Sequence, residues 1–162
     1  MKASKLLLGI TASLSLGISA FAEDFQTFES EQFNVQFDVP SAWKVDLDEN
    51  TLIASPEDGG ISFVMVGYED QSISTKDLFE QFVNNIGLDA QGEYEEIENF
   101  NGFHAMLGHG VAEIEGEAVA VIAVALTLNE DNLVGYVFCN GHIAEQNQDL
   151  MAQIIQSIRP LH

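Results

Sequence analysis

Apolar and polar residues alternate strictly along Phe33-Asn34-Val35-Gln36-Phe37-Asp38-Val39. A period of two predicts a strand with one buried face, and Pro40, which has no amide to donate, ends it. Phe25 to Phe28 predicts a short strand before it, and Lys44 to Leu47 and Leu52 to Ala54 predict two more around an acidic turn. Pro56-Glu57-Asp58-Gly59-Gly60 is turn chemistry and predicts a loop. Ile61 to Tyr68 is apolar at most positions, which predicts a strand covered on both faces.

The period then becomes helical. Leu78, Phe79, Phe82, Val83 and Ile86 form one stripe, with Ser74 placed to cap the start, Asp77 in the first turn and Gly87 at the end. Strand patterns return at Tyr94 to Phe100 and Phe103 to Ile114, on either side of Asn101-Gly102. Asn-Gly there predicts a tight hairpin, because both turn residues need positive φ. Gly116 marks a second turn, and Ala118 to Leu128 is the best candidate for a central strand buried on both faces. The chain turns over 129–132 and returns along Leu133 to Cys139, which completes a four-strand antiparallel meander. A last helix is predicted over 143–158, with Ile143, Asn147, Leu150, Met151, Ile154, Ile155 and Ile158 inward, Asn147 being the one polar interruption, and Pro160 preventing its extension. A mostly antiparallel sheet packed with two main helices is an α+β domain.

The first 22 residues follow a different logic. Lys2 and Lys5 precede an apolar run from Leu6 to Ile18, and Ala20-Phe21-Ala22 closes it. That is the layout of a secretory signal peptide, cleaved after Ala22, and the run is short for a membrane span. No cysteine at the cleavage point offers a lipid anchor. The expected arrangement is a signal peptide over 1–22 and one domain over 23–162, periplasmic or secreted, with no membrane insertion after cleavage. At 140 residues the domain can bury about two-thirds of its unfolded surface without disulfides. Cys139 is the only cysteine and lies in an apolar run, which predicts burial.

Export also changes the charge. Of the five basic residues, only Lys44, Lys76 and Arg159 stay, against 26 carboxylates, so the net charge becomes −23. Such a domain repels nucleic acid and anionic lipid and favours cations or basic partners. A solvated acidic surface has the same composition.

The strand Phe33-x-Val35-x-Phe37-x-Val39-Pro40-x-x-Trp43 opens a longer pattern. It continues through the single helix 74–86, the Asn101-Gly102 hairpin and the closing Ile154-Ile155-x-x-Ile158-Arg159. Together these resemble the PsbP-like superfamily, which includes extrinsic subunits of the photosynthetic oxygen-evolving complex and exported bacterial proteins of the DcrB type. The resemblance implies an α/β/α-type sandwich around an antiparallel sheet. It also implies non-catalytic work through protein–protein contacts, with no shared active-site motif to carry over.

Candidate chemistry is sparse. Asp46-x-Asp48-x-Asn50, followed by Ile53 and Glu57, places oxygens at positions one, three, five and twelve of an EF-hand-like loop, a pattern that suits Ca²⁺. Thr51 stands where that loop needs glycine, and strand patterns flank it. Cys139-Asn140-Gly141-His142 offers a thiol and an imidazole that, with His162, could take copper or zinc. His104 and His109 are five apart on one strand and so point to opposite faces. Glu93, Glu95, Glu96 and Glu98 gather near Glu113, Glu115 and Glu117, which reads as a solvated rim. Nucleophile elbows, zincin helices and phosphate loops are missing, and no cofactor is expected. The expected function is an exported, non-enzymatic interaction or accessory module of the cell envelope that binds a protein partner. The alternative is a periplasmic binder of a small ligand or of a cation such as Ca²⁺.

Overall fold

Ala, Val, Ile and Leu fill the middle of Glu117–Leu128, so that both faces of this strand are apolar from Val119 to Leu126, and the chain buries that stretch centrally. The computed structural model describes residues 24–69, 72–90, 94–129 and 131–162. The expected signal peptide lies outside them. In chain order the strands are β1 (Phe25–Ser30), β2 (Val35–Pro40), β3 (Lys44–Asp48), β4 (Thr51–Ser55), β5 (Ile61–Tyr68) and β6 (Asp89–Ala90). They continue with β7 (Glu95–Phe100), β8 (Phe103–Ile114), β9 (Glu117–Leu128), β10 (Asp131–Asn140) and β11 (Arg159–Pro160). Helix α1 spans Thr75–Ile86, and α2 spans Ala144–Ser157 after a 3₁₀ turn at Gly141–Ile143.

The large sheet has eight strands in the order β3-β4-β5-β10-β9-β8-β6, and β7 shares the outer edge of β8. A second sheet, β1-β2-β11, has three strands. All pairings are antiparallel. The α+β class expected from the sequence is observed, and so is the meander through β7, β8, β9 and β10. Asn101 and Gly102 turn it with φ of 52° and 103°, and Glu115 and Gly116 with 54° and 83°.

Side-chain parity sorts the core into two layers. Ile122, Val124 and Leu126 of β9 face α2 and the small sheet, with Phe37, Phe63, Leu107, Ile154 and Ile158. Val119, Val121, Ala123 and Ala125 face α1, with Leu78, Phe79 and Phe82. Helix α1 keeps the predicted caps: the Ser74 hydroxyl accepts from the Asp77 amide, and Gly87 ends the helix at φ 66°.

Two details differ from expectation. The strand predicted from Phe33 begins at Val35, because Asn34 takes φ 54° in a turn, although Phe33 stays buried. Pro160 does follow the end of α2, but it also belongs to a short strand that the pattern did not predict: the chain returns as β11 against β2 in a separate sheet.

Candidate functional site

Helix α1 covers only part of its face of the large sheet. The registers define a row of side chains across that face: Gly108, Ala123, Tyr136, Val64, Ile53 and Asp46. Phe79 lies over Gly108, so closely that a Cβ there would sit 2.8 Å from its ring, and Phe82 packs on Tyr136 with ring centroids 4.8 Å apart. Beyond Val64 the cover stops, and Ile53 is 44% exposed beside exposed Asp46. The opposite face has a matching row: Leu107, Val124, Gly135, Met65, Leu52 and Leu47. It is fully buried at Met65 and Leu52 and 47% exposed at Leu47.

Both apolar rows therefore run out into solvent at the β3–β4 hairpin. Among the described residues the exposed large hydrophobics are Leu47, Ile53 and Val111, and two of them are on this hairpin. The two stand on opposite faces, and the carboxylates gather on one of them. Asp46 and Asp48 stand on the Ile53 side of β3, and Glu49 forms the turn at φ 43°. Alternation explains the arrangement: in Lys44-Val45-Asp46-Leu47-Asp48 the apolar residues take one face and the charged ones the other.

This is also where the structure places three of the four residues of the EF-hand-like pattern. They do not close on one point. Asp46 and Asp48 lie along an extended strand, Asn50 sits in the turn, and the whole of β4 separates Asn50 from Glu57. That strand is about 17 Å long at roughly 3.3 Å per residue. A calcium loop needs its ligands within about 2.5 Å of one ion. The second expected set is likewise dispersed. The Cys139 thiol points into the core, 3.5 Å from the Met151 sulfur, and burial pushes its pKa up. His142 and His162 are exposed. Among the described residues, no three of His, Cys, Asp and Glu are placed to hold a metal ion.

The histidines of β8 point to opposite faces, as parity requires. His104 faces α1 and joins a chain that sequence reasoning missed. Its Nε2 lies 2.9 Å from Glu96 Oε1, its Nδ1 2.8 Å from the Thr75 hydroxyl, and that hydroxyl 2.7 Å from the Thr127 hydroxyl. A carboxylate only accepts, so Nε2 carries a proton toward Glu96. Carboxylate, imidazole and hydroxyl in line invite comparison with a nucleophile relay. The surroundings fit a brace instead. Thr75 is 5% exposed at the first turn of α1, engaged on both sides, while the Glu96 carboxylate is 63% exposed. The chain pins the start of α1 to β7, β8 and β9.

His109 faces α2. It lines a cavity of about 290 Å³ with Ala120, Ile122, Glu145, Gln148 and Met151. The size is near the lower limit for a small-molecule site. Of the acidic rim, Glu96, Glu98, Glu113, Glu115 and Glu117 are exposed and Glu95 is half-buried, while Glu93 lies outside the described residues.

No family model and no curated protein matches the sequence. Solved structures do match. Cyanobacterial PsbP (CyanoP) from Synechocystis aligns with a TM-score of 0.66 at 10% identity, over 85% of this chain and 93% of that one. The Ran-binding protein Mog1p of Saccharomyces cerevisiae aligns with a TM-score of 0.55 at 10% identity, over 86% and 96%. LpqN of Mycobacterium tuberculosis, involved in cell envelope biogenesis, aligns with a TM-score of 0.50 at 12% identity, over 84% and 90%. The chain thus has a PsbP-like fold. No helix among the described residues is long and apolar enough to cross a membrane.

Proposed function

We propose that this chain is an exported, non-catalytic accessory module of the cell envelope that docks a basic protein partner on the β3–β4 hairpin. One observation carries the reading: the β3–β4 edge hairpin exposes an apolar side chain on each face, Ile53 beside Asp46 and Asp48 on one and Leu47 on the other, with Glu49 at the turn. Apolar centres with charged rims are the usual anatomy of protein interfaces, and the sign of the rim selects the partner. A net charge of −23 after signal cleavage extends that selection over long range. The structural neighbours include a Ran-binding protein and an envelope-biogenesis protein, which is compatible with such work. Export rests on Lys2, Lys5, the apolar run and Ala20-Phe21-Ala22.

The test compares a stoichiometric complex isolated from envelope extract by the wild-type protein with that isolated by Asp46→Lys/Asp48→Lys. The double charge reversal loses the complex while its melting temperature stays near wild type. A complex that survives reversal removes the hairpin from the reading. N-terminal sequencing of the envelope form should begin near Glu23.

The cavity beside His109 supports a second reading, a small-ligand binder, because an apolar floor there meets His109, Glu145 and Gln148. Thermal shift against a panel of small metabolites addresses it, and a shift abolished by Ile122→Trp would favour it. Calcium is tested by calorimetry in chelator-treated buffer. The spread of Asp46, Asp48, Asn50 and Glu57 predicts no stoichiometric heat.

A further inference from the structure

The open edge of β3 specifies more than an acidic docking face. The Gly67 amide donates to the Asn50 carbonyl at 3.0 Å, one step beyond Thr51–Val66, the first pair of the β4–β5 register. Antiparallel ladders alternate bonded and non-bonded pairs. The even-numbered residues of β4 therefore bond β5, and Thr51, Ile53 and Ser55 bond β3. Their partners in the register are Asp48, Asp46 and Lys44. The N–H and C=O groups of Val45 and Leu47 are left facing away from the sheet. Strand β3 ends the strand order, and no backbone group among the described residues reaches Val45 or Leu47 from outside.

We propose that β3 accepts an added strand from the partner, one that alternates basic and apolar residues. The proposal rests on the docking reading above and names the geometry of that contact. Three features fix the chemistry. The outward backbone groups of Val45 and Leu47 supply a ladder of unmet bonds. Apolar residues of the incoming strand extend the row Leu107, Val124, Met65, Leu52 and Leu47, which otherwise ends half in water. Basic residues on its other face lie beside Asp46 and Asp48, the cross-strand position where opposite charges attract.

The other edges are poorer hosts. Strand β7 shifts register between Ile97 and Phe100, and a bulge spoils a template. Strands β6 and β11 have two residues each. Strand β1 carries a single carboxylate, Glu29. Strand β3 pairs without a shift over its whole length, and its carboxylates discourage self-pairing between acidic copies while leaving a cationic strand welcome.

The test uses the full chain and two synthetic peptides of identical composition, one alternating lysine and valine, the other with its lysines and valines in separate blocks. The alternating peptide should bind and slow hydrogen exchange at the Val45 and Leu47 amides. Leu47→Pro removes one outward amide without touching the β4 ladder, and should weaken binding at least about tenfold, the equivalent of one strand hydrogen bond. Leu47→Ala keeps the amide and should weaken binding less. Equal binding of the block peptide, or binding without amide protection, overturns strand addition while leaving acidic docking intact. Failure of both peptides to bind at low salt overturns both.

Discussion

Cys139 shows how far one residue's setting controls its chemistry. Its thiol is fully buried, against Met151, and burial raises its pKa. The thiolate is the reactive form, so Ellman's reagent at neutral pH should label the native protein only on unfolding. The raised folded pKa fixes the sign of its linkage: the thiol contributes stability below the unfolded value of about 8.5, and that contribution is lost as pH rises through the folded value. Denaturation midpoints of wild type and Cys139→Ala should converge on the alkaline side. Gly108 is a steric counterpart. A Cβ there would stand 2.5 Å from Tyr94 Cδ1 and 2.8 Å from Phe79 Cζ, in the seam where those rings meet edge to face. Gly108→Ala should cost about 1–3 kcal/mol in chemical denaturation, the range for overpacking. The burial of Cys139 and the opposed directions of His104 and His109 are legible in the sequence, because both follow from local pattern. The Thr75–His104 bond is not, since it joins residues 29 apart and exists only once α1 lies on the sheet.

The elements legible in the sequence are those with a local cause. The helix over 75–86 has a stripe, a serine cap and a glycine stop, and the Asn101-Gly102 turn has residues that tolerate positive φ. The closing strand β11 has no such signature: two residues carry no period, and their place depends on β2, over a hundred positions earlier. Several bonds hold it. Arg159 reaches Asp38 at 3.3 Å, the Ser157 hydroxyl accepts from the Asp38 amide, and the Leu161 amide donates to the Asn34 carbonyl. The Asn101 side chain donates to the carbonyls of Gln156 and Ile158, so the hairpin that began as a turn signal also clamps the end of α2. Arg159→Ala should loosen this strap. A loss of about 1 kcal/mol is expected for a part-exposed pair, with faster hydrogen exchange at the Leu161 amide. Unchanged exchange there would leave the strap to its backbone bonds alone. The β3–β4 hairpin is the converse case. Its strands are legible from alternation, but its exposure is not, because exposure depends on where α1 on one face, and α2 with the small sheet on the other, stop covering the large sheet.

For the whole molecule, charge sets two opposed salt dependences. Over residues 23–162, 26 carboxylates face three basic residues, and one of those three is engaged by Asp38. Like charges at the surface repel, and added salt screens them over about 10 Å at 0.1 M. Raising sodium chloride from low concentration should therefore raise the melting temperature, by several degrees for a domain of this size. Docking of a basic partner at Asp46 and Asp48 depends on the same field with the opposite sign, so its association rate should fall across the same titration. A solvated acidic coat predicts the first slope without the second. The pair of measurements, made on one preparation, separates acidity that keeps the molecule soluble from acidity that recruits a partner. Calcium chloride at matched ionic strength completes the comparison. If screening is the whole effect, both salts move the melting temperature alike. A larger shift with calcium at low concentration would mean that carboxylates gather around an ion in a way the extended strand β3 does not show.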